Sequence, residues 1–188
     1  TVANGQASVS GANIATLPTE PFLAFKLPQS ANAATRVRAQ LISLAVPFLS
    51  QGIPFMVAGT DMLRSKSLDK NSYDSGDWFN SIDWSGKTNG FGKGLPLAQD
   101  NGFRWDVATD TLNNPKAYVK PSDIKAASDR FQDLLRIRYS TPLFRLGSSA
   151  EVAARLKFPQ SGDDQKAGVV VMQILAQGDD LAGDAAID

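Results

Sequence analysis

The stretch from Leu49 to Trp84, LSQGIPFMVAGTDMLRSKSLDKNSYDSGDWFNSIDW, constrains the fold of this chain more than any other. Ser50-Gln51-Gly52 is a helix-stop signal, because glycine takes the left-handed conformation that closes a helix without the usual steric penalty. Ile53 to Ala58, IPFMVA, is then a short apolar run of the kind that suits a strand buried on both faces. After Gly59 the composition turns polar, charged and aromatic. Helix, buried strand and long polar loop, in that order, predict an α/β fold and the grammar of a barrel whose loops after the strands carry the ligand site.

The flanking segments fit that order. Ala33 to Gln51 reads as a helix with Val37, Leu41, Leu44, Ala45, Phe48 and Leu49 on one face and Ser30 or Asn32 as its cap. Pro47 lies inside it, where it removes a backbone donor and crowds the carbonyl of Ser43, so a kink is expected. The loop from 60 to 121 is too long for a plain connection. Its aromatics argue against disorder, and short helical turns are expected at Thr60 to Ser65 and Asp77 to Ile82. Ser122 to Tyr139 is a second helix, capped by Ser122, with Ile124, Ala127, Phe131, Leu134, Leu135 and Arg138 on one stripe and Arg136 and Arg138 suiting its negative end. Val152 to Phe158 alternates as a half-exposed strand, and Val169 to Leu175 reads as a second strand. Residues 1–20 carry no periodicity and read as irregular.

Composition removes several functions. Lys plus Arg and Asp plus Glu number 19 each, so no net field draws the chain to nucleic acid or an anionic surface. There is no cysteine and no histidine, which excludes disulfides, Ser-His-Asp and Cys-His catalysis and most zinc sites. The longest apolar run, in Leu41 to Leu49, falls far short of a membrane span, and no basic segment followed by an apolar one marks a leader. GKTNGFGKG, from Gly86 to Gly94, lacks the spacing of a phosphate loop. No metal site and no cofactor are expected. DKNSYDSGD resembles a calcium loop only in being acid-rich and lacks the closing glutamate, which leaves calcium as a lesser alternative.

GIPFMVAGTDMLRSKSLDKNSYDSGDWFNSIDW resembles the stretch around the eighth barrel strand of pullulanases and limit dextrinases, the α-1,6-glucan debranching branch of the α-amylase superfamily. The similarity continues more loosely through DNGFRW to LLRIRYSTPLFRL. It implies the C-terminal part of a (β/α)8 barrel at residues 25–145, with a substrate loop at 60–121, followed at 146–188 by the first strands of an all-β sandwich. Residues 1–24 do not match the family. Its His-Asp-Asn motif is absent, which fits either a truncated or mis-joined reading frame or a divergent homologue. The family's nucleophile and acid/base lie at earlier strand ends, so no catalytic residue is expected in this chain.

The resemblance implies an α-1,6-glucosidase acting on pullulan, amylopectin or glycogen limit dextrins, secreted or held at a bacterial cell envelope, with a branched α-glucan as its partner. Glycoside hydrolysis needs two carboxyl groups facing one bond. The carboxylates here crowd into one loop, which suits sugar binding better. Aromatic faces stack on pyranose rings while carboxylates and amides take the hydroxyls. Trp78, Phe79, Trp84 and Trp105 are the platform candidates. Asp69, Lys70, Asn71, Asp77, Asn80, Asp100 and Asn101 are the rim candidates. By resemblance Lys70 and Asp100 fall where the family binds glucosyl units. Asp77 serves equally well as a helix cap, and Arg64 and Lys66 as a solvated charge pair. Two other functions remain open, a non-catalytic glucan-binding remnant and a purely structural barrel fragment.

Overall fold

The computed structural model describes residues 2–3, 6–7, 30–163 and 165–178. The chain divides into two compact units, Thr1–Leu41 with Val57–Asp129, and Ile42–Met56 with Arg130–Asp188. Two long helices contribute to both: α1, Ala33–Leu49, and α5, Pro121–Tyr139. Between them lie the short helices α2, Gly76–Asn80, α3, Ala98–Asn101, and α4, Trp105–Leu112, with single 3-10 turns at Thr60–Met62, Gly102–Arg104 and Pro115–Ala117.

The helical faces follow the sequence period. In α1, Val37, Leu44 and Phe48 are buried, and Asn32 caps its start by accepting from the Thr35 amide at 2.9 Å. Pro47 remains inside the helix. In α5, Ile124, Ala127, Phe131 and Arg138 are buried along the expected stripe. Its cap differs from expectation. The helix begins with Pro121 at its first position, and Asp123 accepts from the Lys120 amide at 2.8 Å, half of a reciprocal cap at Lys120, two residues before Ser122.

In the first unit the long loop is ordered by backbone contacts between distant parts. The Ser65 amide donates to the Asn89 carbonyl at 2.6 Å, and Asn89 returns a side-chain bond to Leu63 at 3.0 Å. Gly90 has φ 83°, and a Cβ there would lie 2.5 Å from the Ser65 carbonyl oxygen, so only glycine permits this approach. Phe91 packs edge-on against Tyr118 with centroids 4.9 Å apart.

In the second unit Phe48 meets Phe131 edge to face at 4.8 Å, with Leu44 buried beside them and Met56, Leu134 and Leu135 packed against the cluster. Arg138, 4% exposed, donates to the carbonyls of Phe48, Ser50 and Gly52. Its role is therefore to tie the end of α1 to the end of α5, more than to balance a helix dipole.

Two strand expectations are overturned. Residues 53–57 form no regular element and pair with no strand among the described residues, and Ile53 and Phe55 are 83% and 88% exposed rather than buried. An apolar run forms a strand only when neighbours take its amide and carbonyl groups. Residues 149–155 form helix α6, Ser149–Arg155, where alternation predicts a strand. Ser148 accepts from the Glu151 amide at 3.2 Å and Glu151 accepts from the Gly147 amide at 3.1 Å. This local capping, together with helix-forming alanines, outweighs a weak period of two. Only β3, Leu156–Lys157, follows, paired antiparallel with β4, Gln173–Ile174, which shortens the second expected strand as well. Near the N-terminus, β1, Val2–Ala3, and β2, Gln6–Ala7, also pair antiparallel, where the sequence reads as irregular. The remainder of that irregular stretch lies outside the described residues.

Candidate functional site

The site is built on a polar network centred on Asp69. Ser67, fully buried, accepts from the Lys93 amide at 3.1 Å and donates to the Gly94 carbonyl at 3.1 Å. Ser67 and Leu68 then take φ of 51° and 69°, a conformation that costs non-glycine residues and persists only where surroundings impose it. This turn presents Asp69, whose carboxylate accepts from the Asn71 amide at 3.1 Å, from the Asn101 side chain at 3.0 Å and from the Ser75 hydroxyl. Burial alone would push the Asp69 carboxyl up, but the bonds from Ser75, Asn101 and Asn71, with the nearby Lys66 charge, outweigh it and hold the group below its ordinary value.

Asn101 is the hub of this arrangement. It is 1% exposed, its oxygen accepts from the Lys70 amide at 2.8 Å, and its nitrogen donates to Asp69 and to the Leu97 carbonyl at 3.0 Å. Its amide is spent inside the loop, so here it positions Asp69 and Lys70 instead of standing at the rim. Asn80 behaves similarly. Its oxygen accepts from the Ser72 hydroxyl at 2.8 Å and its nitrogen donates to the carbonyls of Ser72 and Gly76 at 2.6 and 3.0 Å.

These bonds shape a cleft of about 460 Å³, with Lys66, Asp69, Lys70, Asn71, Ser72 and Tyr73 around it and Asn80 completing the wall. The structure thus brings Asp69, Lys70, Asn71 and Asn80 together, with Asn101 bracing them through its bonds. It leaves Asp77, Trp78 and Asp100 outside that lining. Asp77 lies exposed in the first turn of α2, whose cap position is Ser75, and Asp100 is half-buried in α3. Trp78 is 64% exposed, donates from its indole to the Lys93 carbonyl at 2.8 Å, and has the Lys93 ammonium 5.7 Å from its ring centre.

Among the aromatic candidates, Phe79 is buried and packs the loop, while Trp105 donates to the Pro96 carbonyl at 2.8 Å. Sequence reasoning did not single out Lys66, Ser72 and Tyr73 as a group, since no periodic signal marks a loop residue as inward-facing. Lys66 donates to the Ser72 hydroxyl at 2.6 Å, and Arg64 donates to the carbonyls of Ala58 and Asn80, so the two are not the solvated pair expected. Lys70 and Arg104 flank the exposed Phe103 ring at 5.5 and 5.7 Å. Among the described residues no three of His, Cys, Asp and Glu gather as metal ligands would, and no helix is long and apolar enough to cross a membrane.

Residues 86–187 match the family described as alpha-1,6-glucosidases, pullulanase-type, C-terminal. Over 152 residues the chain is 42% identical to Pullulanase 1, chloroplastic, of Arabidopsis thaliana, which covers 81% of this chain and 16% of that protein. It is 41% identical to a pullulanase of Klebsiella pneumoniae, covering 81% and 14%. The structure matches PulA from Klebsiella oxytoca with a TM-score of 0.76 at 41% identity, over 80% of this chain and 14% of that one. Klebsiella pneumoniae pullulanase complexed with maltotriose gives the same TM-score at 40% identity, again over 80% and 14%.

The fold is therefore that of a stretch of pullulanase. The chain belongs to the pullulanase-type α-1,6-glucosidase C-terminal family, and it spans 14% to 16% of the length of these curated relatives.

Proposed function

We propose that this chain supplies part of the glucan cleft of a pullulanase-type glycoside hydrolase that cleaves α-1,6 branch links in pullulan, amylopectin or limit dextrins. In this reading residues 25–145 are the last units of a (β/α)8 barrel, with 60–121 as its substrate loop, and 146–188 begin a β-sandwich domain. The observation that carries it is the Asp69 cleft. Lys70, Asn71 and Tyr73 stand exposed around a floor whose amide groups are committed to holding the shape.

That arrangement serves binding. An aspartate held below its ordinary value by three donors stays ionised and accepts hydrogen bonds from sugar hydroxyls, but it is a poor proton donor to a leaving glycosidic oxygen. Tyr73 adds an apolar face for a pyranose ring. The chain alone therefore binds glucan without cutting it. Native electrophoresis in gels containing pullulan tests both statements. The chain is expected to be retarded, Lys70→Ala and Tyr73→Ala to run faster than it, and no reducing sugar to appear. Equal mobility with and without pullulan would refute the cleft assignment, and pullulan hydrolysis by the pure chain would refute the statement that it lacks the catalytic acids.

A further inference from the structure

Trp84 is 67% exposed, yet it belongs to neither the Asp69 cleft nor the Trp78 and Lys93 cluster. It sits in a turn built by Asp83, whose two carboxylate oxygens accept from the amides of Ser85 and Thr88 at 2.9 Å each and from both their hydroxyls. The hydroxyl and amide of Ser85, with those of Thr88, hold the Asp83 carboxyl down at about 2, so the turn keeps this charge through any ordinary pH. The indole is thus carried on a backbone that is set before any ligand arrives.

Beside it lies a hollow of about 370 Å³ between this turn, Met62 and the first turns of α5. The apolar residues that line it are Met62, Pro121 and the buried Ile124, together with Trp84 itself. Gly86, with φ 68°, leaves the hollow open where a Cβ would stand 3.8 Å from the side chains of Met62 and Ile124. Its rim carries Lys87, Ser128 and the Lys125–Asp129 ion pair, closed at 2.7 Å. The pair neutralises one of the two lysines, so the rim offers donors and acceptors of both signs with little net charge. An exposed indole beside apolar side chains, with mixed polar groups around them, is the chemistry that recognises an uncharged sugar ring.

We propose that Trp84 and this hollow form a second saccharide site, separate from the Asp69 cleft, that takes one pyranose ring of a neutral oligosaccharide. The residues around the two hollows are disjoint, so each site can be altered without touching the lining of the other. A single stacked ring gives weak binding, about millimolar in dissociation constant, useful for holding a polymer that engages elsewhere as well.

Hydroxyl-radical footprinting of the whole chain, read by mass spectrometry with maltotriose as the probe, tests this. Covering one face of the indole should lower Trp84 oxidation by about half in a saturable way. Ser128→Arg, which fills the hollow and keeps Trp84, should restore the sugar-free oxidation at Trp84 while leaving Tyr73 protection unchanged. Trp84 oxidation that does not respond to maltotriose, or protection that survives in Ser128→Arg, overturns the proposal. Loss of Tyr73 protection alone would sink the cleft reading and leave this one standing.

Discussion

The loop at 63–101 and the apolar segment at 53–57 are close in sequence and meet their physical requirements to very different degrees. The loop closes on itself: Asp69, Asp83, Asn89 and Asn101 take up its irregular backbone amides and carbonyls, and Ser67 bridges Lys93 and Gly94. The segment at 53–57 is held at one end, where the Val57 carbonyl accepts from the Thr60 amide at 3.1 Å and the Thr60 hydroxyl at 2.6 Å, and no ladder of bonds runs along it among the described residues. Ile53, Phe55 and Val57 are exposed, and among the described residues no strand pairs with it. Polar side chains organise a loop from within, whereas an apolar strand needs backbone partners on its edges and apolar surface on its faces.

The comparison predicts where each region breaks. The largest effect should come from Arg138→Ala in the second unit, which strips a buried cation from three carbonyls and leaves them without a donor. A loss of about 3–4 kcal/mol is expected in denaturant unfolding. Arg138→Lys should recover only part of it, because an ammonium lacks the planar fork. Full recovery by lysine would show that charge alone matters there.

Next is the loop's own hub. Asn101→Ala removes the acceptor of the Lys70 amide and a donor to Asp69 from a fully buried position, at a cost of about 2–3 kcal/mol. Hydrogen exchange at the Lys70 amide should accelerate while the helical amides around Phe131 in α5 stay protected. Unchanged Lys70 exchange would contradict the role given to Asn101.

Acidification sharpens the same point. The Asp69 carboxyl is held below 3.8 in the folded state, so its contribution is present above that value and disappears as pH falls through the lower folded value. Melting of the chain and of Asp69→Asn, compared from about pH 6 down to about pH 2, should show a gap that narrows on acidification. A gap that stays constant would mean the charge is not what stabilises the loop.

Smaller still, Ser148→Ala deletes the cap of α6 and should cost about 1 kcal/mol, confined to the second unit. Smallest in stability is Phe55→Lys. At 88% exposure it should change unfolding by less than about 0.5 kcal/mol. It should nonetheless reduce self-association in sedimentation, because it places a charge on an exposed apolar edge. Sedimentation that is unaltered would show that another surface drives association.

What could be read from residues alone were features governed by neighbours three or four positions away. The faces of α1 and α5 and the stop after Tyr139 follow from helical period and local signals, and of the two caps the sequence offered, Ser30 and Asn32, the structure uses Asn32. The S-x-x-E cap at Ser148 was equally local and legible, although alternation pointed to a strand there. The resemblance to pullulanases was legible in the Gly52 to Trp84 stretch; the family match falls on residues 86–187, and the match to the relatives runs over 152 residues.

The tertiary structure alone decided which loop side chains face inward. Asn101 reaches Asp69 across 32 positions and Arg138 reaches Phe48 across 90, and no period in the chain encodes such pairings. Whether an asparagine stands at a rim or behind it depends on which backbone groups arrive beside it once the loop has closed. That closure rests on bonds between distant segments, so it separated Trp84 from the Asp69 cleft where composition had placed both in one aromatic loop.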